Sequence, residues 1–303
     1  MKKILLSIVA LLAANVCVTA QDLVKETVIV DRFVSTTNHN LASETTHALR
    51  DMALQAFTEK GRFNLVDSEQ NAVLQKLNST RTQYSEESVN ASNVLDEEST
   101  EVYKSLGAKY LVQGRVTNLS VAYVESSSTS PYYKGEVTLV LTVHNIADGS
   151  VKSSETLEFT GIDSNVPKQA IDDAVKSTKS KIMAFVDRHF TFITRIEQIE
   201  VMNKKGAAKE LYIAGGTEMG VQKGQTFIVR ASKQIGSKTV LVEIGKLKAK
   251  EVMDGVTLCT VSKGGAEIAE IFKNTGNFSS LVIESDKISG EVAFGNALLD
   301  IFK

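Results

Sequence analysis

The chain has 303 residues, of which 43% are hydrophobic and 23% charged, with 34 basic against 36 acidic side chains, a formal net charge of −2 and a pI near 6.2. That is the composition of a globular chain long enough for about two domains, and it excludes wholesale disorder. No basic excess is present to make a nucleic-acid-binding face.

The N-terminus carries the clearest signal. Lys2 and Lys3 precede an apolar run over residues 4–14, and Val18-Thr19-Ala20 offers a cleavage site before Gln21, so residues 1–20 read as a secretory signal peptide. The apolar run is too short to span a bilayer. Loss of the peptide removes Lys2 and Lys3 and no acid, taking the mature net charge from −2 to −4. Cys17 is a candidate lipid-attachment residue, which would add membrane association. Asn15 and Val16 stand before it, however, where lipoprotein cleavage favours small residues, so soluble export is the primary expectation. On a bacterial export route the sequons at Asn78, Asn90, Asn118 and Asn277 are chance matches. With Cys17 cleaved away, Cys259 has no intramolecular partner and reads as a small buried hydrophobe in a strand over 256–261.

Residues 26–34 predict a first strand, around Thr27-Val28-Ile29-Val30. Asn40 or Ser43 is placed to cap a helix whose Leu49, Met52, Ala53, Ala56 and Phe57 form one apolar stripe, ended by Gly61. A short strand over 63–66 and a helix from about Gln70 follow, with Val73, Leu74 and Leu77 predicted to face inward. Residues 78–100 turn abruptly polar and read as a long surface loop. A helix over 100–106 stops at Gly107, and Tyr110, Leu111 and Val112 then make a short apolar run of the kind buried on both faces by helices. Everything from Gln21 to Phe192 reads as cover for that strand.

Strand character continues over 116–124. The polar tip 126–130 precedes Pro131-Tyr132-Tyr133, and over 136–146 Val137, Leu139, Leu141 and Val143 alternate with polar residues, so one face is buried and one wet. Asp148-Gly149 predicts a hairpin turn into a partner strand over 151–159. From Pro167, a single long helix is expected, its stripe running from Ile171 through Ile182, Phe185 and Val186 to His189. After Thr194 the period falls to two. Short strands over 195–202, 210–214, 226–230, 239–252, 256–261 and 267–272, separated by glycine turns, predict a small antiparallel barrel or sandwich over 193–303. The last thirty residues are not assigned a place in it.

The order of elements over 22–192 and the run Gly107-Ala108-Lys109-Tyr110-Leu111-Val112-Gln113-Gly114-Arg115-Val116 resemble the curli-secretion lipoprotein (CsgG) family, itself similar in fold to the penicillin-binding-protein activator LpoB and the TolB N-terminal domain. The resemblance implies an α+β fold: a mixed sheet covered by helices, acting as an exported scaffold that binds or assembles partners without catalytic residues. Residues 220–229 (Gly220-Val221-Gln222-Lys223-Gly224-Gln225-Thr226-Phe227-Ile228-Val229) resemble the small C-terminal β-domain of the flagellar assembly protein FlgT. Two positions depart from the family: Ser68 stands where an arginine commonly follows the second strand, and the lipid-attachment signal of the secretion channels is weak here.

No reactive constellation stands out. His39, His47, His144 and His189 match no metal spacing, and no cofactor is expected. Asp172 and Asp173 read as dipole-favouring acids at a helix start. The Gly215-Gly216 and Gly264-Gly265 pairs are placed between strands and read as turns rather than phosphate cradles. Tyr123, Tyr132 and Tyr133, flanking the polar tip, are the candidate partner-binding residues, since tyrosine is enriched at interfaces. The leading expectation is a non-enzymatic protein of the periplasm, or of the periplasmic face of the outer membrane, with envelope proteins as partners and a homo-oligomer as an open alternative. A secretion-channel subunit crossing the outer membrane with strands over 116–124 and 136–146 is the second reading. A hydrolase with a site among residues 78–100 is the third.

Overall fold

The computed structural model describes residues 23–84, 97–125, 130–163 and 165–286, with 80–84 described by backbone alone. The proposed signal peptide, Cys17, the polar stretch 85–96, residues 126–129 and the tail from 287 lie outside the described residues. The chain is α+β and forms two sheets.

In the first sheet β1 (Glu26–Val30) is bonded in parallel to β3 (Phe63–Asp67) on one side and to β4 (Tyr110–Val124) on the other. A two-residue strand, β2 (Val34–Ser35), also runs parallel to β4, while β5 (Tyr132–Asn145) and β6 (Val151–Asp163) continue as an antiparallel meander. The order is β3-β1-β4-β5-β6, a mixed sheet. Val28, Ile29 and Val30 are fully buried because helices cover both faces. The helix α1 (Ala42–Glu59) lies on one face, α2 (Ala72–Tyr84) and α3 (Glu97–Ser105) on the other, and α4 (Pro167–Lys176) and α5 (Thr178–His189) return to the first. Val28 and Val30 thus pack among Leu49, Phe57 and Phe185, while Ile29 and Leu111 pack among Leu74, Leu77 and Tyr103. Each large apolar side chain so buried contributes about 2 kcal/mol.

The second sheet is wholly antiparallel. Its strands β7 (Ile193–Thr194), β8 (Ile196–Met202), β9 (Ala208–Ala214), β10 (Thr226–Ile235), β11 (Lys238–Val252), β12 (Val256–Lys263) and β13 (Leu281–Ser285) take the order β7-β13-β10-β11-β12-β9-β8. The two ends of that order, β7 and β8, are consecutive in the chain across Arg195, so the sheet curls into a half-barrel around Phe227, Val229, Leu247, Cys259 and Ile283. The two cores are joined at neighbouring residues. Phe190 packs edge-on to Phe57, Phe63 and Tyr110, at 5.2–5.6 Å between ring centroids, whereas Phe192 belongs to the second core, 6.3 Å from Phe227.

Several expectations need correction. The long helix from Pro167 is two helices that break at Ser177, where the hydroxyls of Ser177 and Thr178 donate to the carbonyls of Ala174 and Val175, three residues back. Such back-bonding competes with the helical ladder. The strand expected at 267–272 is instead the helix α6 (Gly265–Thr275), with Ile268 and Ala269 facing the core and Gly276 as its left-handed cap. Alanine and glutamate there favour helix, and the 3.6 period was obscured by the shortness of the segment. The second unit is therefore not all-β, and Gly264-Gly265 joins a strand to a helix. Val73 is 50% exposed, so the inward face of α2 is narrower than expected. Neither Asn40 nor Ser43 caps α1; Leu41 holds the cap position with no side-chain bond. Residues 78–84 are helical rather than loop, and Asn71 caps that helix by accepting from the backbone N–H of Val73 and Leu74. The second unit's strands form one curled sheet rather than a sandwich.

Gly135 and Gly161 face each other across β5 and β6 and form a flat patch on which α4 rests by backbone contact. A Cβ at Gly161 would overlap Ala174 N and Ala170 O, and one at Gly135 would come 2.6 Å from the Ala170 carbonyl. Substituting Gly161→Ala is expected to lower stability by about 1–3 kcal/mol through overpacking. Urea unfolding reads this as a lower midpoint at unchanged slope.

Candidate functional site

Alternation along β4 and β5 decides where the tyrosines point. Tyr123 is opposite Tyr133, and Val124 opposite Tyr132. Successive side chains of a strand take opposite faces, so Tyr123 and Tyr133 share the helix-covered face with Gly135, and Tyr132 lies on the other. The Tyr123 and Tyr133 rings sit 5.2 Å apart, tilted by 56°, a favourable aromatic pair. Tyr123 is 54% exposed, and Tyr132 and Tyr133 are half-buried. The structure thus brings together two of the three predicted residues.

The pair lies just ahead of α4. Asp163, opposite Tyr133, accepts 2.8 Å bonds from the backbone N–H groups of Asn165 and Val166, which turn the chain into Pro167 at the helix start. Those two bonds, Asn165 first, hold the Asp163 carboxyl below its ordinary range. Ile162 is a large exposed residue on the opposite face, beside Lys134. The tip therefore carries the tyrosine pair on one face and, on the other, Tyr132 and Ile162 beside the Lys134–Glu136 ion pair, with a fixed turn behind it.

A second polar constellation was not foreseen. The chain leaves β1 toward α1 on one face and leaves β3 toward α2 on the other, so a crevice opens between the carboxyl ends of these strands, the usual ligand position in open α/β sheets. Here it is filled from within by Arg50, only 2% exposed. Its Nε donates to Asp31 O at 3.1 Å and Nη2 to Val30 O at 3.5 Å and to Asp67, while Nη1 pairs with Glu69 at 3.3 Å. Around it, Ser68 Oγ, Gln113 Oε1 and Glu69 Oε1 are buried without a hydrogen-bond partner among the described residues. The signal in the sequence was Arg50 itself, which falls in step with Ala53 and Phe57 on the apolar stripe of α1 and so had to be buried.

The four histidines are dispersed. His39 Nδ1 accepts from Leu41 N just before α1, His47 lies 3.7 Å from Glu69, and His189 Nε2 is 3.1 Å from Glu155. His144 is buried rather than a surface residue, and burial pushes its pKa down. Among the described residues no group of three histidine, cysteine or acidic side chains converges as a metal site. Asp172 and Asp173 are not in the first turn of α4: Asp172 pairs with Lys168 one turn back, and Asp173 accepts from Ile162 N. Cys259 is fully buried, and burial pushes its thiol up to about 12.

No family model matches the chain, and no curated protein sequence matches it. Similar solved structures include lipoprotein GNA1162 from Neisseria meningitidis, 11% identical, covering 52% of this chain and 97% of that one with a TM-score of 0.36. A PelC dodecamer from Paraburkholderia phytofirmans is 15% identical over 53% of this chain and 89% of its own, with a TM-score of 0.30. The LpoB C-terminal domain from Escherichia coli is 19% identical over 44% of this chain and 82% of its own, with a TM-score of 0.27. Superpositions this loose and identities this low transfer no activity, ligand or partner.

Two outcomes follow from the geometry. Arg50→Ala removes the charged donor shared by Asp67, Asp31 O and Val30 O, leaving Asp67 only the Glu69 N–H and Val30 O only the Ser68 N–H, and loss of one member of a buried pair costs about 3 kcal/mol; urea unfolding should show that loss, while Tyr132→Ser should stay within about 1 kcal/mol of the parent. Cys259, protonated and enclosed, should not react with a thiol-specific disulfide reagent at neutral pH in the folded protein, and should react fully once urea unfolds it.

Proposed function

We propose that this protein is an exported, non-enzymatic scaffold of the bacterial envelope that works by docking partner proteins. The observation that carries the reading is the aromatic tip: a tyrosine pair, one ring half exposed, at the far end of two long strands anchored by the glycine patch under α4. Rigid, amphipathic tyrosines on a fixed support lose little entropy on binding. The signal-like N-terminus supports export, with a mature chain that begins at Gln21 and divides into domains over 21–192 and 193–303. The resemblance to the curli-secretion and LpoB-like proteins supports an envelope role. At the position where that family commonly has an arginine after the second strand, Ser68 stands; Arg50 brings a guanidinium to the same strand end from α1.

The channel reading is the weaker of the two. The alternating face of β5 is already used, because Val137, Leu139, Leu141 and Val143 are at most 1% exposed under α4 and α5. A membrane-crossing strand needs about 9–11 residues facing lipid on alternate positions, and a face covered by helices is not available for that.

The docking reading is tested by capture from envelope extract with the mature protein as bait. A bait carrying Tyr123→Ser and Tyr133→Ser should lose at least tenfold of the specifically retained partner, in line with aromatic hot spots, while Tyr132→Ser should lose less. Equal retention by all three baits would remove the tip as the docking site.

A further inference from the structure

One element stands clear of both cores. The strands β10 and β11 pair with each other up to the turn at Gly236-Ser237, but the pairing of β10 with β13 stops at Ala231 and that of β11 with β12 at Lys246. Residues 233–243 therefore form a two-stranded arm that projects about 10 Å past the sheet. A bare two-stranded hairpin is marginal in water, and this one turns apolar side chains outward. Ile235, beside the turn, is 57% exposed, Leu241 is 48% exposed, and Val242 is exposed as well. Cross-strand partners share a face, so Ile235, Val240 and Val242 lie on one face of the arm and Leu241 on the other.

The charge on the arm is of one sign. Residues 231–242 contain Lys233 and Lys238 and no acid, in a chain whose net charge is −2. The ion pairs of the hairpin are at its base, Arg230 with Glu284 and Glu243 with Lys263. Lys233 and Lys238 have no ion-pair partner among the described residues. Both stand on the face of Ile235, Lys238 directly opposite it and Lys233 opposite Val240. Strand register places the turn 203–207 at the same end of the sheet, where exposed Met202 precedes exposed Lys204 and Lys205. Acids are fewer there, since Glu243 is paired and Glu267 and Glu270 lie on α6.

We propose that the tip of this arm enters the headgroup layer of an anionic lipid bilayer, Ile235 and Leu241 reaching the interface and Lys233 and Lys238 meeting lipid phosphates. Two observations favour lipid over other occupants. Apolar residues on both faces of a thin arm suit a fluid interface that closes around it, whereas a rigid protein surface covers one face and leaves the other wet. A second copy paired along the arm would bring its lysines against one another, the device by which exposed strands avoid self-association. Lysine stems lie along apolar surface while their ammonium groups stay at the phosphate level. Attraction of this kind is reversible and screened by salt, so it leaves the protein extractable in soluble form. The arm belongs to the second sheet and the tyrosine tip to the first, so the inference stands or falls independently of the docking reading.

The test is co-sedimentation of the full mature protein with vesicles of mixed phosphatidylglycerol and phosphatidylcholine, and of phosphatidylcholine alone. The mixed vesicles should retain the protein about tenfold better or more, and salt near about 0.5 M should release it. Replacing both lysines, Lys233→Gln with Lys238→Gln, should weaken retention by about 25-fold, about fivefold for each, while Lys233→Arg with Lys238→Arg should bind as the parent does. Ile235→Asp, at an exposed position that leaves the melting temperature unchanged, should weaken retention by about tenfold. The chain has no tryptophan, so Ile235→Trp supplies a single fluorophore whose emission should shift to the blue on the mixed vesicles. Equal retention by neutral vesicles, retention unchanged by these substitutions, or an unshifted emission from bound Ile235→Trp would overturn the inference. No retention by either vesicle would also overturn it, in favour of a second copy if Ile235→Asp abolishes concentration-dependent self-association.

Discussion

The guanidinium of Arg50 is the constraint on which the first half of the molecule depends. A parallel strand buried on both faces must be followed by helices on opposite sides, and this opens a crevice at the strand ends lined with backbone carbonyls. One arginine from the middle of α1 fills it, binding the last carbonyls of β1, the carboxylate that ends β3 and Glu69 beyond it. The position where many α/β proteins hold a ligand is thus occupied by the protein itself. The same contacts fix the rotation of α1 about its axis, and so determine which of its residues reach the core.

Away from that crevice the structure relies on close backbone approach. Glycines opposite each other in β5 and β6 let α4 settle against the sheet and hold the distal hairpin that carries Tyr123 and Tyr133. A second close approach joins the two units: a Cβ at Gly61, after α1, would lie 2.8 Å from Gly220 N, and both glycines have positive φ. Glu218 in the same turn, the 3-10 segment Thr217–Met219, is partly buried, which would raise its pKa, but backbone N–H groups of Gly255 and Gly216 outweigh this and hold it below its ordinary value. A depressed carboxylate stabilises the fold above its unfolded pKa and loses that contribution as pH falls through the folded one.

Much of this was legible in the sequence. The run Tyr110-Leu111-Val112 behaves as a strand covered on both sides, and the stripe Leu49-Ala53-Ala56-Phe57 is the buried face of α1. What was misread has local causes. Residues 265–275 are too short for the helical period to show beside flanking glycines, and the break at Ser177 comes from side-chain hydroxyls that leave the apolar stripe intact. The site was less legible than the fold. Three neighbouring tyrosines could be named, but their division between two faces depends on strand register.

As proposed, the protein leaves the cytoplasm and docks partners through its tyrosine tip. The most direct test of that export is the intact mass of the protein recovered from its host envelope, with soluble and outer-membrane fractions weighed separately. An unmodified chain beginning at Gln21 in the soluble fraction is the expected result. A chain that retains residues 1–20 and remains in the cytoplasm would contradict export, and an acylated chain beginning at Cys17 in the membrane fraction would replace the soluble scaffold with a membrane-anchored one.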